Sequence, residues 1–167
     1  PLSTEGGTMH NKVVTMVARA LRELGATTIR FNFRGTGASE GGFDQGVGER
    51  EDLRAVVEWA RAAHPGQPLW LAGFSFGSYV SLASAVDLQA DAVISIAPPV
   101  SGRGWDFSQV RLPEVPWLVV QGDQDEIVDA QAVYHWIEGL ERQPQLGRMP
   151  ETSHFFHRKL IDLRGAI

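Results

Sequence analysis

The segment Ala72-Gly73-Phe74-Ser75-Phe76-Gly77 decides the fold, because it places Gly-x-Ser-x-Gly between two stretches of different periodicity. Before it, Pro68 to Phe74 is a short apolar run of strand character. After it, Tyr79, Val80, Leu82, Ala83 and Val86 form a helical stripe. At such a sharp strand-to-helix turn the serine is forced into a strained backbone conformation that lifts its hydroxyl above a sheet, and flanking glycines let strand and helix approach closely. A glycine-rich turn with a surface serine is the competing reading, and the strand before and helix after weigh against it.

Working outward, the same alternation repeats on both sides. Met9, Val13, Met16, Val17, Ala20, Leu21 and Leu24 recur at helical spacing, with Gly25 where a helix C-terminus is commonly capped. Thr27 to Phe33 alternates Ile29, Phe31 and Phe33 with polar partners and reads as a strand running into the turn Arg34 to Gly42. Leu53, Val56, Val57 and Ala60 form a helical stripe that ends at His64-Pro65-Gly66. Ala92 to Ala97 and Val115 to Val120 are further buried strands. Ala130, Val133, Ile137 and Leu140 predict a helix, Gln145 to Met149 a weaker strand containing Gly147, and Phe155 to Leu163 a last helix. This rhythm predicts an α/β domain, a mostly parallel sheet with helices on both faces, whose function sits at the C-terminal edges of the strands. Pro98 to Pro116, with four prolines, is the one long irregular connection.

The chain has 167 residues, 43% hydrophobic and 21% charged, which suits a single packed domain. Its net charge of -5 is interspersed and forms no basic stripe, so neither nucleic acid nor an anionic membrane is the expected partner; a small, neutral or weakly polar molecule is. There is no cysteine, hence no disulfide, thiolate nucleophile or cysteine-held zinc, and a cytoplasmic location is expected. No run approaches the ~20 apolar residues of a membrane span.

A serine hydroxyl needs a histidine base, and the base needs a carboxylate to hold its tautomer and stabilise the imidazolium. Gln121-Gly122-Asp123-Gln124-Asp125 follows a strand on the same sheet edge as Ser75, and Asp125 is the expected carboxylate. Asp123 is read as bracing the turn through bonds to nearby backbone amides, and Asp129 as the N-cap of the next helix. His154, after the last strand and before the last helix, is the expected base, with His157 its rival on the same helical face. The chain order Ser, Asp, His is that of the nucleophile-elbow hydrolases. For the oxyanion, one donor is the backbone N–H of Phe76 and the second comes from the start of the chain, Leu2 or Ser3, with Leu2 favoured. Phe74, Trp105 and Phe155 are expected near a substrate pocket, which Phe107 and Phe156 could also line, although aromatics at strand ends pack cores as often. Arg34-Gly35-Thr36-Gly37-Ala38-Ser39 superficially suggests a phosphate cradle, but its third glycine comes late, at Gly41, and no Walker lysine follows, so a structural turn is favoured. No metal-ligand spacing occurs, and no metal or cofactor is expected.

Gly6-Gly7-Thr8-Met9, Phe31 to Gly41, Ala72 to Gly77, Ala97-Pro98-Pro99, Gln121 to Asp125 and Ser153-His154-Phe155-Phe156 together resemble the small bacterial α/β-hydrolases of the dienelactone-hydrolase-like, serine-esterase-like group. The resemblance spans nearly the whole chain and implies the α/β-hydrolase fold. The dienelactone hydrolases proper use cysteine, and Ser75 departs from them, which turns the expectation from lactone opening toward an ester-type substrate. A thioesterase or peptidase on the same fold, or a non-catalytic binding protein, are the alternatives. Pro98 to Pro116 is too short for a helical cap domain, so an open site is expected.

The resemblance also implies strands upstream of Pro1, one of them lying between the segments at Thr27 and Pro68. Without it the sheet has a hole. These 167 residues alone are therefore expected not to fold stably, and a cooperative thermal melt of this exact segment would contradict that expectation.

Overall fold

The structure is a computed structural model describing residues 1–167. In chain order its elements are α1 (Lys12–Glu23), α2 (Val47–Ala63), β1 (Trp70–Phe74), α3 (Phe76–Ser84), β2 (Ala92–Ile96), β3 (Trp117–Gly122), α4 (Ala130–Glu138), β4 (Gln145–Met149) and α5 (Leu160–Ala166). The four strands form one parallel sheet in the order β1-β2-β3-β4, with Phe74 opposite Ile96, Ile96 opposite Val120 and Gly122 opposite Met149. All four therefore end at one edge.

Parallel strands must bury both faces, and their alternating side chains divide between two cores. Leu71, Val93 and Val119 join Leu53 and Val57 of α2, Val80 of α3 and Val133 and Ile137 of α4 in one core. Phe74, Ile94, Ile96 and Val120 point the other way, to Val13, Val17 and Leu21 of α1 and Leu163 of α5. Three layers result, with the sheet in the middle. The predicted strands at Pro68, Ala92, Val115 and Gln145 and the helix at Ala130 are all present, and Gly25 (φ +92°) follows the end of α1 as expected.

Two expectations fail. Thr27 to Phe33 forms no strand. No neighbouring strand pairs with it, and a cavity of about 900 Å³ separates it from β1, lined by Val17, Leu21, Phe31, Val57, Leu71 and Gly77. Its aromatics stay anchored nonetheless: Phe31 and Phe33 meet edge to face at 5.3 Å, and Phe33 reaches Phe76 at 5.5 Å. The last helix starts at Leu160 rather than Phe155, because the intervening residues turn through left-handed backbone at Phe156 (φ +53°) and Arg158 (φ +59°). Side-chain periodicity reported the apolar spacing there and missed the turn that Phe156 makes to enter the core, where it is 0% exposed.

The turn from Arg34 to Gly41 is structural, as favoured. It closes on itself through Gly35 N to Glu40 O at 3.0 Å and Ser39 Oγ to Asn32 O at 3.0 Å, and Asp52 of α2 accepts both the Arg34 backbone N–H and its guanidinium at 2.9 Å. The Pro98 to Pro116 connection holds only one short 3-10 turn, Phe107–Gln109, and packs Phe107 against Tyr79 and Trp136. No helix of the structure is long and apolar enough to cross a membrane.

β1 and α3 pack so closely that a Cβ at Gly73 would overlap Gly77 O and Ser81 Oγ. Gly77 differs from the sequence expectation: a Cβ there would meet nothing within 4 Å, because it faces the cavity. Only the first glycine of the motif is required by close packing. Gly73→Ala is expected to destabilise the protein by about 3 kcal/mol or more, since the clash is with backbone as well as side chain and cannot be relieved by a rotamer change. Urea unfolding of the full-length protein would measure it, and a loss under about 1 kcal/mol would contradict the packing account.

Candidate active site

The elbow has the geometry that its sequence predicts. Ser75 sits at φ +54°, ψ -118°, a conformation a non-glycine residue adopts only under constraint. The constraint is local. Ser75 N donates to Ile96 O at 2.8 Å, extending the β1-β2 ladder by one rung, while Ser75 O accepts from Ser78 N at 2.9 Å and Ser78 Oγ at 2.6 Å. The chain must reverse between these bonds. Phe76 then opens α3, so its N–H has no acceptor one turn back and is left for another partner.

The other two predicted residues are brought together. His154 Nδ1 lies 2.7 Å from Asp125 Oδ2, and both side chains are almost fully buried, 3% and 1% exposed. Asp125 Oδ1 accepts from Ile127 N at 2.9 Å and Val128 N at 2.7 Å, and Oδ2 also accepts from Gln121 Nε2 at 3.1 Å. Burial works to raise the pKa of this carboxyl. The bonds from His154, Val128 and Ile127 and the attraction of His154 outweigh it and hold Asp125 below the ordinary aspartate value of 3.8. With Nδ1 committed to a carboxylate, the lone-pair nitrogen of the His154 ring is Nε2, which makes no hydrogen bond here.

The position of the ring follows from the loops after β3 and β4. Asp123 N donates to Met149 O at 2.9 Å and Gln124 N to Thr152 O at 3.0 Å, and a Cβ at Gly122 would overlap Thr152 O. Glu126 Oε2 accepts the His154 backbone N–H at 3.1 Å, and Phe156 anchors the far side of the loop in the core. The imidazole lies against Phe74, the residue before Ser75, with ring centroids 4.9 Å apart. No hydrogen bond joins Ser75 Oγ to His154 in this structure; the ring is packed on Phe74, the residue that precedes Ser75.

Among the remaining expectations, Leu2 packs its side chain on the core and accepts at its carbonyl from Glu5 N and Gly7 N, while its own N–H donates no hydrogen bond. Phe74 is buried at 3% and backs the His154 ring, so it shapes the floor of the site. Phe155 is 46% exposed and stands edge-on to His154 at 5.0 Å. Trp105 lies on Phe76 at 5.0 Å and on Tyr79 at 6.3 Å. His157 is exposed and bonds through its backbone N–H alone, to Ser153 Oγ at 3.4 Å; because Phe155 to Lys159 is a turn, it shares no helical face with His154. Asp129 caps α4 through Gln131 N and Ala132 N, as expected.

Asp123 braces by a different route from the one predicted. It accepts from the Tyr134 hydroxyl and from Arg148 Nε at 3.4 Å, while Asp125 makes the turn-type bonds to backbone amides. Burial, then the bond to Asp123, pushes the Tyr134 hydroxyl up to about 12, so it remains a donor. Sequence reasoning missed two further contributors, Gln121 and Glu126, and only their adjacency to Asp125 could have signalled them. It offered Phe107 and Phe156 to a pocket although both are buried in the core, where Phe156 supports the His154 loop.

The alpha/beta hydrolase fold family model matches residues 5–107. An α/β serine hydrolase without lid from Xanthomonas campestris is 70% identical, with a TM-score of 0.95 over 99% of this chain and 75% of that one. An α/β serine hydrolase homologue from Coxiella burnetii is 48% identical, with a TM-score of 0.94 over 99% of this chain and 78% of that one. An uncharacterised protein of Rickettsia prowazekii is 34% identical over 96% of this chain and 71% of its own length. The chain belongs to the α/β-hydrolase fold family. Its similarity to solved serine hydrolases supports a hydrolase within that family.

The depressed Asp125 carboxyl gives a signed expectation for stability. Because its folded pKa lies below its unfolded one, its stabilising contribution is fully present above the unfolded value of 3.8 and is lost as pH falls through the folded value. The stability advantage of wild type over Asp125→Asn should therefore shrink as pH falls from about 5 to below about 4. Urea unfolding over that range would measure it, and a difference independent of pH would contradict the assigned pairing.

Proposed function

We propose that the protein is a serine hydrolase of small ester-type substrates, carboxylesterase-like, working through Ser75, His154 and Asp125. The observation that carries this reading is the buried Asp125–His154 pair at 2.7 Å, whose free Nε2 lies on the strand edge where Ser75 is held at φ +54°.

In the proposed reaction Nε2 of His154 takes the Ser75 hydroxyl proton as Oγ forms a bond to the substrate carbonyl carbon. Negative charge moves to the carbonyl oxygen, which the backbone N–H groups of Phe76 and Leu2 receive. The carbon–oxygen bond to the leaving group then breaks, and His154 returns its proton to the departing alcohol. Water repeats the sequence on the acyl-enzyme: His154 deprotonates it, the new bond forms, and Ser75 leaves with the proton. Asp125 stays ionised throughout. It accepts from His154 Nδ1–H and stabilises the imidazolium in the ion-pair state.

Phe155, exposed beside the base, would meet the leaving-group side of a substrate, and Phe74 and Trp105 would bound the pocket near the elbow. The short Pro98 to Pro116 connection leaves the site without a helical cover, which favours short acyl chains over long lipids. No cofactor takes part in this scheme.

Fluorophosphonate labelling of the full-length protein, read by intact mass, tests the nucleophile. One adduct per chain is expected on the wild type and none on Ser75→Ala. Asp125→Asn should retain the fold at neutral pH and lose about 10⁴-fold in kcat. A folded wild type that resists the probe would overturn the activated serine and favour a binding role.

A further inference from the structure

Gln121 stands near the end of β3, 0% exposed, and its side chain serves the following loop. Its Nε2 donates to Asp125 Oδ2 and to Gly122 O, both at 3.1 Å, while Oε1 is buried without a partner. The reverse placement of the amide would set its oxygen against a carboxylate and a carbonyl, so electrostatics assigns the N–H groups to that side. A buried carbonyl oxygen without a donor costs stability that an apolar side chain of equal length would avoid. A position that carries such a cost while directing its donor at Asp125 is better suited to orienting that carboxylate than to packing.

The arrangement at Asp125 shows what the amide adds. Oδ1 is fixed by two backbone N–H groups, from Ile127 and Val128. That alone lets the carboxylate swing about Oδ1. Gln121 holds the second oxygen at the point where His154 Nδ1 meets it. Four N–H donors then converge on one carboxylate and occupy its acceptor directions, so it serves as an acceptor with no vacancy for a proton.

We infer that Gln121 is a positioning residue for the proposed reaction, pinning Asp125 Oδ2 so that His154 is held in the tautomer and orientation that leave Nε2 free. This inference rests on the serine-hydrolase reading. Gln121 touches neither substrate nor reacting atoms and acts through Asp125 alone.

The test compares wild type, Gln121→Met and Gln121→His in the full-length protein, with p-nitrophenyl acetate as substrate and a thermal melt alongside. Methionine matches the length of glutamine and removes both the N–H and the orphan oxygen; histidine restores an N–H donor. Gln121→Met is expected to lose about tenfold in kcat, with KM within about twofold and the melting temperature within about 3 °C of wild type, and Gln121→His to recover most of the rate. An unchanged kcat in Gln121→Met overturns the inference. So does a kcat loss accompanied by a large fall in melting temperature or failure to fold, which marks a packing role, and so does a histidine variant as slow as the methionine one. Failure of the underlying reading shows separately, as wild type and Ser75→Ala hydrolysing the ester at the same rate whatever the Gln121 variants do.

Discussion

The close approach of the loops leaving β3 and β4 is the constraint on which the site depends. Gly122 has no Cβ because Thr152 O occupies that space, and the two loops are joined there by Asp123 N to Met149 O and Gln124 N to Thr152 O. Asp125 lies on one side of that contact and His154 on the other, so the 2.7 Å bond between them follows from main-chain registry. Flexible side chains do not have to find one another. Register between β3 and β4 thus becomes geometry between a carboxylate and an imidazole, and a slip of one residue would break it.

The elbow at Ser75 is positioned by the same sheet acting through β1 and β2. Left-handed backbone at a serine costs of order 1–3 kcal/mol, and it is sustained by the extra rung to Ile96 O, the bonds from Ser78 and the packing of Phe76 at 0% exposure. Phe74 links the two halves of the site. It ends β1 immediately before Ser75 and supports the His154 ring from below. Ser75 and His154 are therefore positioned by strands that end at one edge, β1 for the first and β4 for the second.

The sheet is less complete at its other margin. Thr27 to Phe33 has strand composition and two half-buried aromatics packed against the core, yet pairs with no strand across the cavity of about 900 Å³. A strand is a property of two backbones: alternation of side chains can hold Phe31 and Phe33 in place, while ladder hydrogen bonds need a neighbour at roughly 4.8 Å. Composition predicts the first and cannot supply the second. The turn that follows is tied to α2 regardless, because Asp52 takes the Arg34 backbone and guanidinium together.

By itself the sequence determined the alternation of helix and strand, the elbow around Ser75 and the loops that carry Asp125 and His154, which the structure pairs at 2.7 Å, because each rests on a local signal: periodicity, glycine spacing or a polar loop just past a strand. The last strand was readable despite Gly147, since β3 supplies the partner it needs. Tertiary structure alone decided that Asp123 turns to Tyr134 and Arg148 while Asp125 takes the backbone amides, that Gly77 faces open space, and that Gln121, Glu126 and Phe156 hold the Asp and His loops. Those outcomes depend on which groups distant segments bring within about 3 Å of each other, and no local pattern in the chain encodes such a distance.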